Sequence, residues 1–169
     1  MTATATIPAS AIKDATKAAL KEAFDSPVGM FLDKGDALWE TLEPVTAAQA
    51  SIPIAPGGNS IAGQVNHMVF YFDVMAGYMR NDPPEHPDWS AAWKVVEVDE
   101  DQWQELKLAL GQRQSEIITL IDNAPDEVFT DPDIVGGSYA IVAHTAFHLG
   151  QIRHALAAQG GQYTATHID

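Results

Sequence analysis

Apolar residues between Ser60 and Arg80 recur at alternating steps of four and three positions along the chain. This spacing places them on one face of an α-helix, because the helix turns once in about 3.6 residues. The pattern predicts a helix over about 60–80 that packs along one apolar seam. The seam residues are Ile61, Val65, Met68, Phe72, Met75 and Met79.

Two further long helices are predicted in the C-terminal half. One covers about 99–123 and begins with three acidic residues, which the helix dipole favours at that end. The other starts at Ser138, its predicted N-cap, and ends near Gly160 and Gly161.

The N-terminal third carries two more helical runs. One extends over about 30–44, with its apolar residues on or beside one face. The other follows Ser10, its predicted N-cap, and ends before Ser26-Pro27, because proline disfavours helix at the preceding residue.

Proline-rich loops separate these runs, at 50–59 and 81–88, and no stretch has the pattern of a strand. We therefore expect an all-α fold, a four-helix bundle with an additional N-terminal helical segment. The length suits one domain over 1–169, with tails at 1–9 and 162–169.

The net charge of the chain argues against some classes of partner. The chain has 9 Lys+Arg against 23 Asp+Glu, a formal net charge of -14, which argues against partners such as nucleic acid or an anionic membrane surface. It has no cysteine, no basic and apolar leader, and no apolar run of about 18 residues. We expect a cytoplasmic protein without disulfides or thiolate metal ligands.

Three of the six histidines are candidates for chemistry. His144 and His148 are four residues apart on an otherwise apolar helix face, and His67 flanks the seam of the 60–80 helix. They are either core histidines that hydrogen-bond to neighbours or ligands of a divalent metal ion, for which neutral imidazole is well suited. No site role is expected for His86 in a loop, His154 on another helix side or His167 in the tail, all three outside the candidate set.

Two segments resemble the DinB-like family. Residues 59–67, which end in His67, are similar to the start of that family's second helix. Residues 144–152 resemble its last helix, with His144, three residues, His148, one residue and then Gly-Gln-Ile. Trp89 and Trp93 are similar to a pair in one branch of the family.

The resemblance covers about 31–158 and implies that the metal ligands are His67, His144 and His148. Family members often carry a histidine just before the second of the last two ligands and an arginine just after it. Phe147 and Leu149 stand at those positions here, which leaves the family's roles for those side chains unassigned.

Three imidazoles leave a coordination position open, which is typical of a catalytic rather than a structural metal. The family includes thiol-dependent S-transferases, so we expect a metal-dependent enzyme that acts on a small molecule, with a low-molecular-weight thiol as substrate. The alternatives are a metal-dependent hydrolase and a non-catalytic protein that binds a metal or a small ligand. Zinc or nickel is the expected ion, with iron, copper or manganese as alternatives.

Other functional features stay open at this stage. No catalytic acid or base is identified. Tyr71 lies one turn from His67, but a packed aromatic ring is the simpler interpretation. Gln151 lies near His148 in sequence and is a candidate hydrogen-bond partner for an imidazole. The family resemblance also implies a homodimer.

Overall fold

The structure is a computed structural model that describes residues 6–160. Four long α-helices dominate the chain: α1 (Ala9–Phe24), α4 (Ile61–Met79), α5 (Glu100–Asn123) and α6 (Pro132–Ala158). Two short helices, α2 (Leu38–Leu42) and α3 (Ala47–Ala50), precede α4. Short 3-10 helices cover Ala91–Trp93 and Asp126–Thr130. The described residues contain no strand, which confirms the all-α class.

The core lies between the long helices. Helix α4 contacts both α5 and α6, and α1 packs against α6 and α5. The side chains at the centre are almost fully removed from water, and each large apolar group buried in this way contributes roughly 1.5–3 kcal/mol to folding. The largest of them are Trp103, Phe24, Phe72, Leu20, Leu38, Leu42, Ile61, Met68, Leu110, Ile117, Leu149 and Ile152.

The predicted run over 30–44 is mostly not a helix. Gly29 and Gly35 have positive φ angles of 83° and 87°, and only Leu38–Leu42 is helical. The buried carboxylate of Glu22 accepts hydrogen bonds from the backbone N–H groups of residues 30–32, which fixes this segment as a loop. The N-terminal helix α1 is therefore one of the four long helices rather than an addition to them.

Both predicted N-caps, Ser10 and Ser138, are wrong, whereas two predicted helix starts are confirmed. Helix α1 begins at Ala9, directly after Pro8, so Ser10 lies inside the helix and Pro8 is at the cap position without a side-chain cap. Helix α6 begins at Pro132 rather than near Ser138, because the side chain of Asp131 caps it and proline suits the first helical position. The predicted starts of α4 at Ser60 and of α5 at Asp99 are correct, and both side chains accept backbone N–H bonds.

Helix α6 ends at Ala158, close to the predicted end, while Gly161 and the predicted tail at 162–169 lie outside the described residues, as do residues 1–5. Among residues 6–160, no helix combines the length and the apolar character that a membrane crossing requires.

Candidate metal centre

The structure brings His67, His144 and His148 together between α4 and α6. The Nε2 atom of His144 lies 3.1 Å from Nε2 of His67 and 3.1 Å from Nε2 of His148. One ring nitrogen of each histidine lies within 4.8 Å of those of the other two. The three residues that the sequence singled out therefore share one site.

Helix geometry explains this convergence. His144 and His148 lie one turn apart on α6, so their side chains project from the same face. His67 lies about two turns inside α4, whose start is fixed by the Ser60 hydroxyl accepting a hydrogen bond from the Gly63 N–H at 3.1 Å. Because α4 packs against α6, the imidazole of His67 meets the pair from the facing helix.

The side-chain amide of Gln64 orients one of the imidazoles. Its Oε1 lies 2.5 Å from Nδ1 of His148, so it accepts a hydrogen bond from Nδ1–H. Gln64 is only 3% exposed, which shields this bond from water. With its proton at Nδ1, neutral His148 presents a lone pair at Nε2, toward the other two rings.

Sequence analysis did not assign this role to Gln64. The predicted partner was Gln151, whose side-chain hydrogen bond also acts on the pKa of His148 but is the smallest of the influences on it. The signal was present, because Gln64 lies three residues before His67 and so shares its helix face. Its partner His148 lies 84 residues further along the chain, so a local sequence pattern cannot predict that the two residues pair.

Burial keeps all three imidazoles neutral. It lowers the pKa of His67, and it lowers the pKa of His144 to about 4 and that of His148 to about 3, with the neighbouring imidazoles adding to the shift. Among the described residues, no carboxylate or cationic side chain contributes to these shifts. At neutral pH the site therefore offers lone pairs and no net charge.

Hydrogen bonding within the cluster does not satisfy these nitrogens. Nε2 of a neutral His144 either donates one proton or accepts one, yet it faces two other Nε2 atoms. Nε2 of His148 is an acceptor, since its proton is on Nδ1. At least one of the two Nε2–Nε2 contacts therefore cannot be a hydrogen bond, which is unfavourable in a buried site.

A divalent ion resolves this conflict and fits the spacing. Two nitrogens that are each ~2.05 Å from an ion lie about 2.9 Å apart at a right angle and about 3.35 Å apart at the tetrahedral angle. The observed separations of 3.1 Å fall between these values. The three histidines could therefore hold a metal ion with little rearrangement.

Aromatic rings surround the cluster. Trp93 stacks on His67 with ring centroids 4.0 Å apart, and Tyr71 stacks on His144 at 3.7 Å. The ring of Phe147 meets His148 edge-on at 5.1 Å, and Trp89 lies 6.4 Å from His67. The interpretation of Tyr71 as a packed ring is confirmed, and burial raises its pKa, which disfavours its ionisation at neutral pH.

The segment that carries Trp89 and Trp93 is held on α4 by a hydrogen bond from Asn66 and by a close approach at Gly63. The side-chain amide of Asn66 donates to the carbonyl of Ala92 at 2.7 Å, within the 3-10 helix that ends in Trp93. At Gly63, an added Cβ would lie 2.9 Å from the carbonyl oxygen of Val95. The absent side chain thus allows the segment to approach α4 and place Trp93 on His67.

The remaining histidines stay outside the cluster. His86 and His154 are exposed, and His167 lies outside the described residues. Of the two residues that depart from the family pattern, Leu149 is buried in the core, whereas Phe147 is 60% exposed beside His148. Gly150 has no neighbour within 4 Å of an added Cβ among residues 6–160, so no other helix of the described chain approaches it.

Comparison with known proteins gives one family match. The model of the DinB superfamily matches residues 30–152, which include the three clustered histidines, Gln64, Trp89 and Trp93. No curated protein and no solved structure matches the chain.

Proposed function

The chain belongs to the DinB superfamily, and on that premise we propose that it is a metal-dependent enzyme whose divalent ion is held by His67, His144 and His148. The observation that carries the proposal is the convergence of three neutral Nε2 atoms, with His144 Nε2 at 3.1 Å from each of the other two and too few protons for them to hydrogen-bond to one another. The histidines enter as neutral ligands, so the bound ion would keep its positive charge.

Zinc or nickel is the ion that we propose, because the ligand set consists of imidazoles without a carboxylate. Hard ions such as manganese favour oxygen ligands, and the described residues provide none in the cluster. Iron and copper also accept imidazole and are alternative outcomes of a metal analysis.

The proposed reaction is transfer of a low-molecular-weight thiol to an electrophile. When bound, the ion would supply Lewis acidity that lowers the pKa of a coordinated thiol. The S–H proton passes to solvent, the sulfur forms a bond to an electrophilic carbon, and that carbon's bond to its leaving group breaks with the electron pair departing on the leaving group. The protein's side chains hold the three ligands in place and limit the access of water.

Hydrolysis is the closest alternative, and the surroundings of the cluster support it less well. A metal-bound water is used best when a nearby carboxylate or histidine accepts its proton. Among residues 6–160, no carboxylate influences the pKa values of the three imidazoles, and Tyr71 stacks on His144 with a raised pKa. A non-catalytic protein that binds a metal or a small ligand is the third possibility, and the assay below distinguishes it from the two enzymes.

The test is a thiol-transfer assay on the zinc-loaded and the nickel-loaded protein. A thiol such as 2-mercaptoethanol is mixed with an alkyl halide, and the thioether is quantified by mass spectrometry. We expect product above the uncatalysed rate with the parent and with His86→Ala/His154→Ala, a control that removes two exposed histidines. The His144→Ala/His148→Ala variant should give only the uncatalysed rate. If a metal-loaded parent forms no thioether but cleaves esters, the hydrolase is supported instead, and if it does neither, the binding protein is.

A further inference from the structure

Two of the three clustered imidazoles lack a hydrogen bond that would fix their rings. Gln64 bonds to Nδ1 of His148, but no group among residues 6–160 forms a hydrogen bond with Nδ1 of His67 or with Nδ1 of His144. Both of these Nδ1 atoms are buried. An imidazole that binds an ion through Nε2 is ordinarily held in orientation by a hydrogen bond at its other nitrogen. A different interaction must therefore set the ring planes of His67 and His144.

Each of these two imidazoles is stacked on a larger aromatic ring. The ring of Trp93 is inclined to that of His67 by only 12°, with centroids 4.0 Å apart. The ring of Tyr71 is inclined to that of His144 by 10°, with centroids 3.7 Å apart. Trp89, in contrast, is inclined to His67 by 51° at 6.4 Å. A flat partner resists rotation of the imidazole out of its plane, and such rotation would carry Nε2 away from the other two rings.

The two stacks should be stronger when an ion is bound, and this difference makes them contributors to metal affinity. An imidazole that donates its lone pair to a cation acquires positive character. The faces of tryptophan and tyrosine rings carry negative partial charge and attract positive groups within about 6 Å. Both stacks lie within that range. An interaction that is stronger in the loaded site raises the affinity, whereas one of equal strength in both states does not change it.

The side chain of Asn66 holds Trp93 in its place. Trp93 belongs to the connection between α4 and α5, at the end of a short 3-10 helix. The amide of Asn66, the residue before His67, donates a hydrogen bond of 2.7 Å to the carbonyl of Ala92, the residue before Trp93. Helix α4 therefore carries the histidine and also the group that places the tryptophan ring on it.

We propose that Trp93 and Tyr71 are positioning residues of the metal centre, which hold two of its imidazoles by ring stacking. The stacks take the place of the hydrogen bonds that Nδ1 of His67 and Nδ1 of His144 lack. Asn66 acts on the centre through Trp93. The inference rests on the proposed function and adds three residues to the centre, none of which supplies a ligand atom.

The test measures the zinc dissociation constant of the full chain by competition with a chromophoric chelator, together with urea unfolding of each metal-free variant. Trp93→Leu and Tyr71→Leu each remove a ring and should weaken zinc binding roughly three- to tenfold, the range expected for the loss of one ring pair. Trp93→Phe and Tyr71→Phe keep a ring and should stay within about twofold of the parent. Rescue by phenylalanine would show that the ring face, and not the indole N–H or the hydroxyl, holds the imidazole.

Trp89→Leu is the matched control, because it removes the same kind of ring from the same segment without removing a stack. Its zinc affinity should stay within about twofold of the parent. Equal losses in Trp89→Leu and Trp93→Leu would overturn the inference, since the segment would then act through its bulk alone. Leucine variants that unfold at lower urea concentration but bind zinc like the parent would overturn it too. If the leucine variant at Trp93 or Tyr71 does not fold, the variants at the other position give the result.

Asn66→Leu tests the link through Trp93. It removes the donor to Ala92 at nearly constant volume and should weaken zinc binding about two- to fivefold in the parent, with no further loss in Trp93→Leu. Additive losses would contradict a route through Trp93. A parent that binds no zinc would end the proposed function as well. A parent that binds zinc no more tightly than both leucine variants would refute this inference alone.

Discussion

Gln64 is the side chain through which α4 orients His148 of α6. Its Oε1 holds the proton of His148 on Nδ1 by a bond of 2.5 Å, and the two residues are 3% exposed each. Fixing that proton leaves Nε2 free as a ligand atom and sets the orientation of the ring. Metal affinity at this site should therefore depend on a residue that never touches the ion.

Gln64→Leu removes the acceptor at nearly constant volume, and we expect zinc affinity to fall about 10–100-fold. Gln64→Glu keeps an acceptor for Nδ1–H and should retain most of the affinity. Competition with a chromophoric chelator measures both dissociation constants. Equal affinities for the parent and Gln64→Leu would show that the hydrogen bond serves packing alone.

At this scale the sequence predicted which histidines lie together better than it predicted their surroundings. His144 and His148 are one helical turn apart, and this spacing survives any error in where α6 begins. The partner of His148 and the rings stacked on His67 and His144 depend on contacts between distant segments, such as the 84 residues that separate Gln64 from His148. Local pattern carries no information about such pairs.

At the scale of elements, glycines in helices have two different explanations. Gly63 lies in the first turn of α4, where its missing Cβ makes room for the Val95 carbonyl at 2.9 Å. Gly150 lies within α6, and nothing among residues 6–160 approaches its added Cβ. Alanine is intrinsically more favourable than glycine in a helix by about 1 kcal/mol. The surroundings of each glycine therefore decide whether its replacement by alanine raises or lowers the free energy of unfolding.

Gly150→Ala should raise the free energy of unfolding by about 0.5–1 kcal/mol, because the helix gains propensity without a clash.

Gly63→Ala should lower the free energy of unfolding by roughly 1–3 kcal/mol, because a backbone carbonyl must move. It should also change the tryptophan emission, since the displaced segment carries Trp93. Urea unfolding of the metal-free proteins measures both values. If Gly63→Ala instead raised the free energy of unfolding, the 94–99 segment would be able to move away from α4 at little energetic cost.

The element boundaries show where sequence reasoning failed and why. Helix α4 and helix α5 start where they were predicted to start, because a capping side chain precedes an uninterrupted apolar period. Helix α6 starts earlier than predicted because Pro132 and the pair Gly136-Gly137 resemble a loop, although proline suits a helix start. The loop before α2 depends on the buried carboxylate of Glu22, a tertiary contact with no local signal.

At the scale of the whole molecule, the negative net charge of the chain complements the neutral histidine cluster in attracting a metal ion. The chain has a formal net charge of -14, whereas the histidine cluster is neutral and buried. A negative surface raises the local concentration of cations and favours the encounter with a metal ion. The homodimer stays a prediction, as do the cytoplasmic location and the thiol substrate.

The most direct test of the account is the metal content of the untagged protein, purified without chelator and measured by mass spectrometry. We predict close to one zinc or nickel per chain, retained in His86→Ala/His154→Ala and lost in a folded His144→Ala/His148→Ala variant. A parent that holds no metal, even after incubation with zinc or nickel, would contradict the account, as would a double variant that keeps its metal. The three histidines would then be core residues of an all-α fold.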